Sequence, residues 1–419
     1  MTADQNTAPS EPAGIDRRRS ASAFWRYWTG STVSGVGDAV TTVALPLMAV
    51  GVLGASSFEV SLLTAAQYAA WIAIGLPAGV IVQRLPLRGT QVAMDLIRAA
   101  AVLSVPVAAA LDVLHLAHLV VVALVLGLAT VVFDVGNSSF LPSIVSKEEL
   151  TARNSLTSAS ASATQLGGPS LGGVLVQFCG AAFSLVLDAV SYVISAVLLR
   201  SLPRPERTKA EAGRASTLQL IREGWRFVVQ HPVIRPCVAA ATLTNFICGA
   251  FMALLPVFLV RTLDAPAGLV GVLIATEGVG SLVGAALTPR LVRRFGGARA
   301  ILCTSLLGAT AALLMPLAGS GWGYLVFGLG NIGFGCGVVV LSILTRTHRQ
   351  TVTPPELLPR VMATVRFVSW GAVPFGALTA GASASLLGNR GGLWLICALA
   401  FLAPAALWAS PLRRMRDLT

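Results

Sequence analysis

The chain has 419 residues, 55% of them hydrophobic and only 11% Asp, Glu, Lys or Arg, against about 25% charged in ordinary soluble domains. So little charge cannot cover a water-exposed body of this size, which argues against a soluble enzyme and makes a bilayer the expected solvent. The formal net charge of +12 would suggest nucleic acid in a soluble protein, but the distribution of the basic residues described below makes that reading unnecessary.

Taken in order, residues 1–22 are polar and contain Pro, Ser and Arg, and are expected to form a disordered cytoplasmic tail. Six apolar stretches follow within 23–200: Trp28 to Leu53, Phe58 to Val82, Thr90 to Leu111, Leu116 to Ser138, Asn154 to Cys179 and Ala181 to Leu199. Residues 201–233 are the longest polar interruption. In its second part Leu218, Ile221, Trp225 and Val229 recur at helical spacing, with Arg222 and Arg226 opposite. This predicts either an amphipathic helix on the cytoplasmic leaflet or a linker helix against the underside of the bundle. Six more stretches fill 234–410: Ile234 to Val260, Gly268 to Leu291, Ala300 to Leu317, Tyr324 to Thr345, Val361 to Leu387 and Leu393 to Trp408. Residues 411–419 form a second cytoplasmic tail. Crossing a hydrocarbon core of about 30 Å takes about 20 helical residues, so the expected fold is all-α, with twelve transmembrane helices in two pseudo-symmetric six-helix bundles.

The two halves repeat each other at an offset of roughly 205 residues. Gly75, Gly79 and Arg88 match Gly280, Gly284 and Arg293, and Gly127, Leu128, Phe133 and Gly136 match Gly328, Leu329, Phe334 and Gly337. Glu149, Leu150 and Arg153 match Glu356, Leu357 and Arg360. Doubled sets of hydrophobic helices are the trace of secondary transporters, whose substrate site lies near the bilayer midplane between the repeats.

If both termini are cytoplasmic, all the Lys and Arg except Arg261 and Arg390 fall on the cytoplasmic side, which is the positive-inside arrangement. The Arg17, Arg18, Arg19 run then serves as a topological anchor. The cysteines, at 179, 237, 248, 303, 336 and 397, form no CxxC pair and read as small packing residues. His115 and His118 read as a solvated pair at a helix end, so no metal and no cofactor are expected. Lys147 and Lys209 follow Ser146 and Thr208, so neither lies in the Gly-Lys-Ser/Thr of a P-loop. Energy must come from an ion gradient, in which one charge crossing 100 mV is worth about 2.3 kcal/mol.

Three signatures carry a family resemblance over roughly residues 24–416. They are SGVGDAVTTVALPL in the first helix, the loop that begins at Gly79 and is followed by Asp95 and Arg98, and GPSLGG in the fifth helix. The chain resembles the major facilitator superfamily, in the proton-coupled drug-efflux branch with macrolide-efflux and enterobactin-exporter types. In that family GPSLGG, here Gly168, Pro169, Gly172 and Gly173, bends helix five and is found mainly in exporters. Thr164 stands where the motif usually begins with glycine, and Gln83, followed by Arg84, stands where the family has an aspartate that locks the cytoplasmic side. The resemblance therefore implies a gate at Gly79, Gln83, Arg84 and Arg88, with Asp95 and Arg98 as substitutes for the missing ion pair.

Proton coupling requires a titratable group inside the membrane. Asp38, deep in the first span, is the first choice, with a helix-to-helix hydrogen bond or an ion pair to Arg98 or Arg366 as the structural alternative. Glu277, mid-span in helix eight, is the second. Asp134 reads as a gate-side ion pair, and Asp188, in a helix expected outside the cavity, as a packing residue. The resemblance implies a cavity lined by helices one, four, seven and ten, and these offer Thr41, Thr42, Phe133, Thr242, Asn245, Phe246, Phe251 and Asn331 with almost no fixed cation. That set suits a large, mostly apolar molecule bearing a few polar groups or a positive charge.

The expected activity is export of such small molecules in exchange for protons, by a monomer in the bacterial inner membrane. A lipid or lysolipid transporter and a non-transporting receptor or scaffold of the same fold are the alternatives.

Overall fold

The computed structural model describes residues 13–75, 77–78, 85–145, 149–203, 217–354 and 357–417. The elements are helical: α1 Ala13–Gly51, α2 Ser57–Ile74, α3 Leu87–Ala110, α4 Leu116–Ile144, α5 Leu150–Arg200, α6 Thr217–Gln230, α7 Ile234–Arg261, α8 Ala267–Phe295, α9 Gly297–Ala312, α10 Gly323–Val352, α11 Leu358–Gly371, α12 Val373–Leu399 and α13 Leu402–Trp408. Nine helical segments among the described residues are long and apolar enough to cross a membrane. At 1.5 Å per residue the 28 residues of α7 extend about 42 Å.

Local chemistry sets the boundaries. Ser56 caps α2 by accepting from the Glu59 amide, while the Ser56 amide donates back to the Glu59 carboxylate at 2.7 Å, a reciprocal capping box. The helical runs of α5 and α12 are each kinked at a glycine with positive φ, Gly180 (φ 83°) and Gly388 (φ 72°). That backbone state is inexpensive only without a Cβ. Gly296, also at φ 83°, separates α8 from α9.

Side chains are sorted for lipid rather than water. Large apolar residues such as Phe178, Leu307, Trp322 and Leu386 face outward, and many close helix contacts are made at small residues, because association in lipid depends on backbone approach rather than on hydrophobic burial. Gly127 of α4 lies against the Gln67 carbonyl of α2, and Gly280 of α8 against the Ile332 carbonyl of α10. Helix pairing follows the sequence repeat: α2 with α4 and α3 with α4 in the first half, α8 with α10 and α9 with α10 in the second. One apolar cluster gathers Met48, Val60, Leu63, Val102, Leu126 and Leu185. Another gathers Phe251, Leu254, Phe258, Phe327, Phe334 and Ile396.

Two end faces are fixed by hydrogen bonds. On one, Arg26 reaches the Ser201 carbonyl, Arg88 the Leu202 carbonyl at 2.6 Å, and the Ala298 amide the Arg416 carbonyl. The α6 helix sits here against α11, with an Arg360–Glu223 ion pair and Gly224 beneath the Arg360 carbonyl. This is the linker face. The side chains of Leu218 and Ile221 lie outside the described residues, while Trp225, Arg226 and Val229 are exposed.

On the opposite face the two halves are tied together. The Ser57 hydroxyl donates to Asn389 Oδ1 at 2.6 Å, Arg261 to the Gly54 carbonyl at 2.9 Å, and the Gly268 amide to Gln177 Oε1 at 2.7 Å. Between them, Gly173 of α5 and Gly271 of α8 bring their backbones into direct contact.

Candidate functional site

A cavity of about 660 Å³ lies between the halves. Its wall is built from four helical combs. The α1 helix supplies Ser31, Ser34, Gly35, Asp38 and Thr42; α4 supplies Phe133, Asp134 and Asn137; α5 supplies Thr157, Ser160, Ala161 and Thr164; α8 supplies Ile274, Glu277, Gly278 and Ser281. Residues at i, i+3, i+4 and i+7 share one face of a helix, so each set is a single stripe turned inward. Thr32, Ala39, Arg98, Pro169 and Met252 complete the lining.

Asp38 is the center of the polar chemistry. Its side chain is 44% exposed, toward the cavity, while Arg98, 3.7 Å away, is 1% exposed. The Tyr192 hydroxyl donates to Asp38 Oδ1. Arg98 also pairs with buried Asp95 one turn earlier on α3, and its guanidinium is stacked over Phe133 at 4.2 Å and Tyr192 at 4.6 Å. A cation held by two rings and two carboxylates is a fixed charge in the cavity wall, which corrects the expectation of a lining almost without one.

Asp134 and Arg366 approach to 3.8 Å across α4 and α11, both about half exposed. Arg366 rests against both the Trp71 and Trp370 rings, 4.6 and 4.9 Å from their centers, and those rings meet edge to face. Glu277 projects from α8 into the same cavity as Asp38 and Asp134. Three carboxyl groups thus line the cavity, two of them beside a guanidinium, Asp38 with Arg98 and Asp134 with Arg366.

The GPSLGG residues divide between two neighbors. Gly168 and Gly172 abut Ala39 and Val40 of α1, Gly173 abuts Gly271 of α8, and Pro169 lines the cavity. Of the expected gate residues, Arg88 binds the Leu202 carbonyl and Asp95 pairs with Arg98. Gly79, Gln83 and Arg84 lie outside the described residues.

Several expected cavity residues are placed elsewhere. Thr41, one position from cavity-lining Thr42, is rotated away and donates to Asp188. The Asn331 amide is consumed by the Leu273 and Ile274 carbonyls and Thr276. Phe251 is buried edge to face against Phe334 at 4.9 Å. Thr242 and Asn245 bond to carbonyls one turn back on α7, Val238 and Ala241, and the Phe246 carbonyl lies against Gly376. Among the described residues, α8 and Met252 of α7 therefore form the second half's share of the wall, instead of Thr242, Asn245, Phe246, Phe251 and Asn331. The hydroxyls of α5 and, apart from Glu277, the Ile274 to Ser281 stripe are absent from the sequence expectation, although their comb spacing is legible in the sequence.

A partly polar cavity enclosed by membrane-length helices is the architecture of a membrane transporter. Residues 19–419 match the transmembrane secretion effector family of the major facilitator superfamily, and the chain belongs to it. It is a multi-pass membrane protein in a family of transporters, not enzymes. It is 30% identical over 249 residues to the uncharacterized MFS-type transporter y4rN of Sinorhizobium fredii (strain NBRC 101917 / NGR234), covering 59% of this chain and 60% of that one. It is 27% identical over 404 residues to the uncharacterized MFS-type transporter YfiS of Bacillus subtilis (strain 168), covering 93% and 91%. Among solved structures, a mutant of the nucleoside transporter NupG superposes with a TM-score of 0.77 at 12% identity, over 92% of this chain and 99% of that one. A bacterial homologue of the iron transporter ferroportin, in an inward-facing state, gives 0.71 at 20% identity, over 92% and 97%. These likenesses extend to the fold alone.

Proposed function

We propose that this chain is a proton-driven exporter of amphipathic, cationic small molecules that works by alternating access as a monomer in a bacterial inner membrane. Dividing α5 and α12 at Gly180 and Gly388 and adding α2 to the nine apolar helices makes twelve crossings, six on each side of the linker. The linker face is cytoplasmic in this reading, because the chain's Lys and Arg gather there. The cavity is then closed on the outside by the α5–α8 and α2–α12 contacts, and substrate enters from the cytoplasm or the inner leaflet.

The observation that carries the proposal is Asp38. It is open to the cavity yet held by Tyr192 and Arg98. A proton or a substrate cation on this carboxylate competes with Arg98 for the same charge, so one ligand's arrival favors the other's departure. A ligand shifts a conformational equilibrium only through unequal affinity for its states, and the Asp38–Arg98 distance is the feature expected to differ between them. The hydroxyl combs, Phe133 and Met252 supply hydrogen bonds and apolar contact to a large ligand.

The test is uptake into inside-out vesicles under an acid-inside gradient, with a panel of lipophilic cations and macrolides, for wild type and Asp38→Asn. Gradient-dependent uptake lost in the variant supports the reading, and uptake that survives the substitution moves coupling to Glu277. Transport of lysophospholipid alone would replace the substrate class, and no flux of any compound would leave the receptor or scaffold reading.

A further inference from the structure

Two facing helix turns exchange hydroxyl groups. On α1 they are Gly37, Asp38 and Thr41; on α5, beyond Gly180, they are Asp188, Ser191 and Tyr192. Thr41 donates to Asp188 Oδ2 and Tyr192 donates to Asp38 Oδ1, so each turn offers a donor to the other's carboxylate. Ser191 adds a bond to Asp188 Oδ1 at 3.0 Å. A Cβ on Gly37 would collide with the Asp188 carboxylate and the Ser191 hydroxyl. The glycine of SGVGDAV thus leaves room for the acid to lie against the α1 backbone.

Asp188 is 1% exposed and belongs to none of the ion pairs among the described residues. The charged and titratable groups around it are Asp38 from α1, Asp95 and Arg98 from α3, and Tyr192 from its own turn. From α4, Phe133 lies on Arg98 and Asp134 pairs with Arg366. Three carboxylates therefore share one guanidinium, and the guanidinium is engaged by the other two. Unpaired carboxylates inside a bilayer are expensive, and those retained there mark ion and proton pathways.

We propose that Asp188 is a second proton-binding site of the transport cycle, coupled to Asp38, and not the packing residue its helix suggests. The proposal rests on the proton-coupled reading of Asp38. Asp38 is the member reached from the cavity and Asp188 the member behind it. The Thr41 and Ser191 hydroxyls rotate to accept from a carboxylic acid as readily as they donate to a carboxylate. Two acids this closely linked titrate in two steps that belong to the pair rather than to either residue, so a change at Asp38 is felt at Asp188.

The test is infrared difference spectroscopy of the full-length protein in nanodiscs during a pH titration, following the carbonyl stretch of protonated carboxyl groups. Over the background of the chain's other carboxyl groups, wild type is expected to show two components assignable by substitution to this pair. Asp188→Asn removes one, and Asp38→Asn removes the other and shifts the midpoint of the remainder. If Asp188→Asn does not fold, Thr41→Val and Ser191→Ala keep the carboxyl and are expected to move its band, which a purely structural acid that never gains a proton would not show. An unaltered titration in Asp188→Asn, or unmoved bands in the two hydroxyl variants, overturns the proposal. A titrating band belonging to Asp38 alone removes Asp188 but leaves the coupling reading standing, whereas that reading falls separately if gradient-driven uptake survives Asp38→Asn.

Discussion

Replacing Gly173 with alanine should open the face opposite the linker. An ideal Cβ on Gly173 falls 2.6 Å from the Ala267 carbonyl oxygen and 2.8 Å from the Gly271 Cα, where ordinary contact begins at 3.4 Å. Both neighbors are backbone, so no side chain can rotate aside and α5 and α8 must part by several tenths of an ångström. Overpacking of this kind costs about 1–3 kcal/mol. The cost is felt only in the state in which these backbones touch, so it shifts the balance toward a state open at that face by about 5- to 150-fold. Gly167 is an internal control on the same helix, since nothing lies within 4 Å of its would-be Cβ. Gly167→Ala should gain up to about 1 kcal/mol of helix propensity without moving that balance. On a background free of native cysteines, pulsed electron paramagnetic resonance between spin labels at exposed Phe178 and Val272 reads the separation of α5 and α8. Gly173→Ala is expected to lengthen the distance distribution and Gly167→Ala to leave it unchanged. Identical distributions for wild type and Gly173→Ala would refute the reasoning.

Three further outcomes follow from the same geometry. Gly37→Ala drives a methyl into Asp188 and Ser191, whereas a Cβ on Gly35 meets only Thr164 at 3.7 Å; thermal melting should show a loss of about 1–3 kcal/mol for the first and little change for the second. Arg366→Gln removes a half-exposed ion pair and two ring contacts, so melting should change by no more than about 1 kcal/mol, while hydrogen exchange across α11 should quicken as its tie to α4 and α2 is lost. His231, in the turn before α7, accepts from the Val233 and Ile234 amides through Nδ1, and partial burial holds its proton affinity below the ordinary imidazole value. Its contribution to stability is therefore complete above that ordinary value and is lost as pH falls through the lowered one; His231→Asn, which accepts but does not titrate there, should flatten the acid-side decline in melting temperature.

Much of this architecture is legible in the sequence because lipid imposes a simple rule: apolar length for each crossing and small residues where helices meet. Gly127 and Gly280 illustrate it, each placed in a repeated segment and each beneath a neighbor's carbonyl. The site is harder to read. Thr41 and Thr42 are adjacent, but 100° around a helix sends one to Asp188 and the other to the cavity. Asn331 resembles a ligand contact in composition, and only the tertiary approach of α8 shows that its amide is already occupied. The stripe Thr157, Ser160, Ala161 and Thr164 was available from spacing alone. It was hidden because small hydroxyl residues in apolar helices serve equally well as packing groups. The link between Asp188 and α1 joins residues 147 positions apart, beyond any local pattern.

The central claim, that proton and substrate fluxes are linked through Asp38, is tested most directly in the reverse direction. Proteoliposomes carrying a pH-sensitive dye inside, with no imposed proton gradient, would be given a concentration gradient of a lipophilic cation such as tetraphenylphosphonium, with ionophores clamping the membrane potential. The account predicts a proton flux opposite to the cation, present in wild type and lost in Asp38→Asn. Cation movement without any proton movement in wild type, or an undiminished proton flux in Asp38→Asn, would contradict it.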